Sequence, residues 1–313
     1  MSIYASESGF SSTTSGKSSS IRKKVQHDGK NLKNTPTGAS TNPRKQTKRG
    51  GRKFNRKHHL TIFSCNAAGL KGKLLSLRNE IKESNAAIFT VQETHYSEKG
   101  KISVEGFEIF ESIRKKEKGG TAMGVHHSLD PILIKEYNDD FEMICVEIAI
   151  ANKKIRVITG YGPQESWQES SRLPFFHALE EEVVKAINDG KEIIIEMDSN
   201  SKLGPDVIAN DPHSQSENGK ILWDIIYRNG LIVVNGMLEK CKGSITRRRE
   251  TVNGVEQSII DHVIVSHGLK EDIERLVIDE SGNKDKYKSI KHQQSIRNDP
   301  IQMQKSWIII SLT

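Results

Sequence analysis

From position 60 onward the chain alternates between short, almost purely apolar runs and longer stretches in which apolar residues recur every three or four positions. The runs at 60–65, 86–91, 121–126, 143–150, 154–161, 192–197, 231–235 and 259–265, several of them rich in Ile and Val, each predict a strand. Between them, Leu74, Leu77 and Ile81 predict a helix over 73–84. Leu173, Phe176, Leu179, Val183 and Ile187 predict another over 170–188, and Leu222, Ile225 and Ile226 a third over 220–228. The link between 143–150 and 154–161 is too short to cross a sheet, so those two runs form an antiparallel hairpin and the sheet is mixed. Pattern alone leads to an α+β or mixed α/β domain.

Residues 1–59 break this pattern. They are crowded with Ser, Thr, Gly, Asn, Lys and Arg, and Pro36, Gly38 and Pro43 interrupt them, so a disordered tail is expected there and a folded domain over 60–313. The tail holds fourteen Lys and Arg against Glu7 and Asp28, a balance of +12, which leaves −5 on the rest of a chain whose net charge is +7. The basic character therefore belongs to the tail. A mobile run such as 43–53 attracts phosphate backbones by counterion release, or serves as a solvated nuclear-import segment, and on this ground a nuclear location is expected. Cys65, Cys145 and Cys241 are odd in number and far apart, which supports neither a disulfide framework nor a zinc ribbon and fits a reducing, intracellular compartment. An apolar signal core, a membrane-length run, a Walker loop and a His-Glu-x-x-His helix are all missing from the sequence.

The candidate chemistry sits where apolar runs end. Glu93 closes one such run, so its carboxylate belongs at a sheet rim, where it either reaches solvent or helps bind Mg²⁺, an ion that takes only one or two protein carboxylates. Asn66 ends the first run, a common place for a turn. Asp198 and Asn200 stand at alternate positions after 192–197, which sets one to accept a proton from water and the other to donate hydrogen bonds. Tyr161 closes another run just before Gly162 and Pro163, either capping the core or offering its hydroxyl to a ligand. Asp261 lies in the 259–265 run, and Arg247, Arg248 and Arg249 precede it as a charge cluster that is either solvated or placed against phosphates.

Taken in order, five segments resemble the endonuclease/exonuclease/phosphatase superfamily, particularly the apurinic-like endonucleases of non-LTR retrotransposons. They are Ser64-Cys65-Asn66-Ala67-Ala68-Gly69-Leu70 before a helix, Gln92-Glu93-Thr94, Tyr161-Gly162-Pro163, the run closing on Met197-Asp198-Ser199-Asn200, and Ile260-Asp261-His262-Val263-Ile264-Val265-Ser266. Met197 and Ser199 stand where the family has Gly and Phe. The resemblance implies a four-layer αββα sandwich with two mixed β-sheets, and DNA nicking that depends on Mg²⁺ or Mn²⁺ and leaves a free 3′-hydroxyl. It further implies that Glu93 and Asn66 place the metal, Asp198 activates water, and Asn200 and Tyr161 stabilise a phosphorane-like state. Asp261 would orient a terminal histidine, and Arg247, Arg248 and Arg249 would face DNA, the expected partner, with no membrane and no obligate protein partner.

Members of that family finish with a Ser/Thr-Asp-His segment before the last strand, and here no Asp-His dipeptide follows Asp261-His262. His292 and Asp299 are present but neither adjacent nor in that order, so the end of the chain, about 282–313, is atypical, with 307–312 left as a final strand. Loss of one positioned donor costs roughly 3 to 4 kcal/mol, or about 100-fold to 1000-fold in rate, so activity is expected to be reduced or lost. Two other readings stay open. One is a catalytically silent nucleic-acid-binding remnant of the fold, and the other a phosphomonoesterase or phospholipid phosphatase of the same superfamily.

Overall fold

The computed structural model describes residues 59–114, 119–138, 141–252, 254–279 and 308–312, all within the unit Gly50–Thr313. The tail expected over 1–59, save its last residue, and the pair His292 and Asp299 lie outside the described residues. The chain begins β1 (Leu60–Asn66), α1 (Leu74–Glu83), β2 (Ile88–Gln92), β3 (Phe107–Ser112), β4 (Thr121–His126) and β5 (Ile132–Tyr137). It continues with β6 (Glu142–Ile150), β7 (Lys153–Tyr161), α2 (Glu169–Asn188), β8 (Glu192–Asp198), α3 (Glu217–Arg228) and β9 (Leu231–Val233). After these come β10 (Cys241–Lys242), β11 (Arg247–Thr251), β12 (Gly254–Ser258), β13 (Asp261–Ser266), β14 (Ile273–Ile278) and β15 (Ile308–Leu312).

Two mixed sheets result, one ordered β10-β14-β15-β1-β2-β4-β3 and the other β5-β6-β7-β8-β13-β9, while β11 and β12 form a separate two-stranded ribbon. β1 and β2 run parallel across α1, and β7 and β8 run parallel across α2, whereas β6 and β7 form the antiparallel hairpin that their short link requires. Strand alternation assigns the layers. Leu60 and Ile62 of β1, Ile88 of β2, Val157 of β7, Ile194 of β8 and Val263 of β13 share the core between the sheets. Their odd-phase neighbours Phe63, Cys65, Phe89 and Val91 pack outward on Leu77 and Ile81 of α1. On the far side Ile193, Ile195 and Met197 of β8 meet Phe176, Leu179 and Val183 of α2 and Leu222 and Ile226 of α3. The order helix, sheet, sheet, helices is the αββα sandwich.

The three helices stand where their apolar spacing predicts, with no end moved by more than three residues. Expectation and structure differ in the strands. β3, β5 and β14 carry Glu, Lys or Arg among their apolar residues and give no pure apolar run. The 231–235 run is a strand only to Val233, then tightens into a 3-10 turn over Val234–Gly236. The last run becomes a strand only from Asp261, because Ser199 rather than a strand partner engages the Ile260 carbonyl: its N–H and its hydroxyl both donate to that oxygen at 2.9 Å.

Candidate active site

The same alternation that fills the core runs out of apolar residues toward one end of the gap between the sheets. Along β1 the inward positions pass from Leu60 and Ile62 to Ser64 and Asn66; along β2 from Ile88 to Thr90 and Gln92. On the facing sheet they pass from Ile155 and Val157 to Thr159 and Tyr161, and from Ile194 to Glu196 and Asp198. A dry core thus gives way to a polar layer, and the polar layer to a cluster of site residues. Glu196 is the centre of that layer: completely buried, it accepts hydrogen bonds from the hydroxyls of Ser64 and Thr90 on the opposite sheet and a longer one from the Gln92 amide at 3.4 Å. Burial pushes its carboxyl up to about 7, against the pull of those donors.

Above this layer Asn66 joins the two sheets. Its amide nitrogen donates to Glu93 at 2.9 Å and to Asp198 at 2.9 Å, while its oxygen accepts from the Ala68 N–H at 3.0 Å. Glu93, the first residue past β2, has φ +51°, a left-handed conformation that an L-residue adopts at a cost and that turns its side chain toward Asn66. Its other oxygen lies 3.5 Å from His95 Nε2. Tyr161 and Asp198 are register partners, and Asp198 is in turn the register partner of Asp261. The Tyr161 hydroxyl is hydrogen-bonded to both Glu93 and Asn200, and burial together with the two nearby carboxylates raises its pKa. Asn200 has φ +47°; its N–H donates to Asp198 at 3.2 Å and its amide to the Gly162 carbonyl at 2.8 Å.

The strand ends fit together closely. A Cβ on Gly162 would lie 2.3 Å from the Ser199 carbonyl oxygen, so only glycine lets the turn after Tyr161 lie against the loop after Asp198. Asn218, buried in the first turn of α3 behind a Ser216 N-cap, holds both pieces from behind. It donates to the Pro163 carbonyl at 2.8 Å and to that of Asn200 at 3.4 Å, and accepts from Arg172 at 2.6 Å.

Electrostatics follow from this crowding. Burial lifts Asp198 to about 6, with Glu93 adding to the rise and Asn66 and Arg247 opposing it. Asp261 is raised well above its ordinary value by burial and then by Asp198, and it is hydrogen-bonded to Thr246. Thr246 Oγ1 also accepts from the Ile260 and Asp261 N–H groups at 2.9 and 3.1 Å. His262, adjacent to Asp261, points away from the site; its Nε2 meets the Ser201 carbonyl at 2.9 Å in the core, and burial lowers its pKa to about 4.

The structure therefore brings Asn66, Glu93, Tyr161, Asp198, Asn200 and Asp261 together. Arg247, Arg248 and Arg249 lie on the exposed ribbon β11–β12, with Arg247 at its root. Sequence reasoning passed over Glu196, Thr246 and Asn218. Glu196 alone left a trace, as the one charge inside Ile193-Ile194-Ile195-Glu196-Met197. Among the described residues no group of three or more His, Cys, Asp and Glu side chains is set to enclose a metal ion. The donor set nevertheless suits a hard divalent ion that keeps most of its waters: Glu93, Asp198 and Asp261 offer oxygen only and repel one another, a cost that a cation relieves. Glu93, with its side chain 25 % exposed, is the carboxylate open to such an ion.

No protein-family model matches the chain, and no curated protein matches it in sequence. Solved structures do. The endonuclease domain of TRAS1, a telomere-specific non-LTR retrotransposon, is 16% identical at a TM-score of 0.56, over 81% of this chain and 98% of that one. The AP endonuclease LMAP from Leishmania major is 12% identical at a TM-score of 0.61, over 82% and 88%. A variant of the 3′ phosphatase NExo from Neisseria, bound to a product DNA hairpin, is 14% identical at 0.58, over 81% and 99%. Layer order and these matches agree: the chain has an αββα fold that it shares with these solved nucleases.

Proposed function

We propose that this chain is a metal-dependent phosphodiesterase that nicks DNA in the manner of a retrotransposon endonuclease. One observation carries the reading: Asn66, Glu93, Tyr161, Asp198, Asn200 and Asp261 meet at one end of the inter-sheet gap, joined by hydrogen bonds from Asn66 and by the register of β7, β8 and β13. Glu93 is the group that would hold Mg²⁺ or Mn²⁺, and Asn66 fixes the carboxylate in place by its amide nitrogen. The bound ion supplies charge neutralisation and polarisation at the phosphate.

Asp198, raised to about 6, is matched to take a proton near neutral pH. A water oxygen attacks phosphorus, its proton passes to the Asp198 carboxylate, the P–O3′ bond breaks, and the leaving 3′ oxygen gains a proton from solvent. Tyr161 and Asn200, already hydrogen-bonded to each other, supply donors toward the phosphate oxygens. The exposed ribbon, with Val252 and Val255 near its turn and three arginines along one strand, is the surface offered to the duplex.

Supercoiled plasmid with Mg²⁺ or Mn²⁺ tests this, comparing the intact chain with Glu93→Ala and Asp198→Ala. Nicking that disappears in both variants supports the assignment. Binding without nicking by the intact chain returns the silent nucleic-acid-binding reading. The match to a 3′ phosphatase favours a second activity at the same site, removal of phosphate from a DNA 3′ end, read by phosphate release from a 3′-phosphorylated duplex.

A further inference from the structure

The carboxylates gathered at the site pose an electrostatic problem. Glu93, Asp198 and Asp261 converge where a phosphodiester must sit, and the reaction adds negative charge to its oxygens. Among the described residues near them, two basic side chains are already engaged. Lys73 is buried and donates to the Ala67 and Ala68 carbonyls at 2.8 and 3.3 Å, and His95 faces Glu93. His262 is turned into the core.

Arg247 is placed differently. It follows Thr246, whose hydroxyl is fixed to the backbone N–H groups of Ile260 and Asp261, so the root of β11 is anchored beside the aspartate that pairs with Asp198. Across the ribbon Arg247 faces Ser258, whereas Arg249, two residues or about 7 Å farther along the strand, faces Glu256. The Arg247 side chain is exposed, free to reach a bound phosphate.

We infer that Arg247 is a catalytic residue of the proposed nuclease, distinct in role from Arg248 and Arg249: its guanidinium contacts the scissile phosphate and stabilises the charge that develops there, while the other two hold the DNA backbone. This rests on the nuclease reading above. Planar, always charged and bidentate, the guanidinium suits that task better than an ammonium.

Steady-state nicking of the full chain in Mn²⁺ or Mg²⁺ separates the roles. Arg247→Ala is expected to lower kcat about 100-fold with KM within about twofold, in line with loss of one positioned donor. Added guanidinium should restore part of that kcat, and Arg247→Lys should fall between the two. Arg249→Ala should raise KM and weaken duplex binding in EDTA. If Arg247→Ala instead raises KM at undiminished kcat, Arg247 is another backbone contact and the inference falls while the nuclease reading stands. If the unaltered chain does not nick at all, the reading and the inference fall together.

Discussion

Asp198 carries two opposed demands in one carboxyl. Its pKa in the fold, about 6 against an ordinary 3.8, means the folded state holds a proton that the unfolded chain releases. That preference stabilises the fold fully below pH 3.8 and is lost as pH rises through about 6, so at pH 8 the ionised buried group is a burden on stability. Asp198→Asn removes the charge and keeps the shape. In EDTA at pH 8 it is expected to raise stability by on the order of 2 kcal/mol, measured by chemical denaturation, while abolishing nicking. For the unaltered chain, nicking should rise with pH through the region of pH 6, because only the ionised carboxylate can take the proton. A flat profile between pH 5 and 7.5 would remove Asp198 from the role of base. Asn66, Glu93, Tyr161 and Asp198 stood out in the sequence because each closes an apolar run, where a strand can present a polar group without breaking the core; Asn200 follows two residues after one, and Asp261 interrupts the 259–265 run.

At the scale of elements, partnership across the sandwich decides what a strand can carry. Glu196 is tolerated in the middle of β8 only because Ser64, Thr90 and Gln92 on the other sheet meet it. With its pKa raised to about 7, its stabilising proton is lost as pH rises from 4.5 through 7. Glu196→Gln should therefore flatten the fall in Tm between pH 5 and 8; an unchanged slope would place the buried proton elsewhere. β2 and β4 show a steric counterpart. Gly124 is the register partner of Phe89, and a Cβ there would lie 2.0 Å from the Phe89 ring. Gly124→Ala should cost about 1 to 3 kcal/mol in denaturant titration, the usual penalty for overpacking a filled core. Neither requirement can be read from the chain, since Glu196 looks like an isolated charge and Gly124 like a weak point in a strand.

For the whole molecule the decisive quantity is the division of charge. The first 59 residues hold +12 and the remainder −5, so at low salt the affinity for DNA should come chiefly from the tail. Removing residues 1–58 should weaken duplex binding steeply at low salt and flatten the slope of log K against log salt, with kcat for nicking little changed. An undiminished slope would assign binding to the ribbon instead. No helix among the described residues is long and apolar enough to cross a membrane. What the sequence determined by itself was local: periodicity places three helices and most of the buried strands, and run-ending polar residues mark the site, because both depend on near neighbours in the chain. Strands with mixed faces, such as β3, β5 and β14, needed the sheet to declare them, since their apolar residues acquire meaning only against a partner. The tertiary structure alone decided that Asn66 spans Glu93 and Asp198, that Glu196 is buried against the opposite sheet, and that Arg247 stands at the root of an anchored ribbon. Each is a contact between residues far apart in the chain, brought together when two sheets bury their apolar faces against each other.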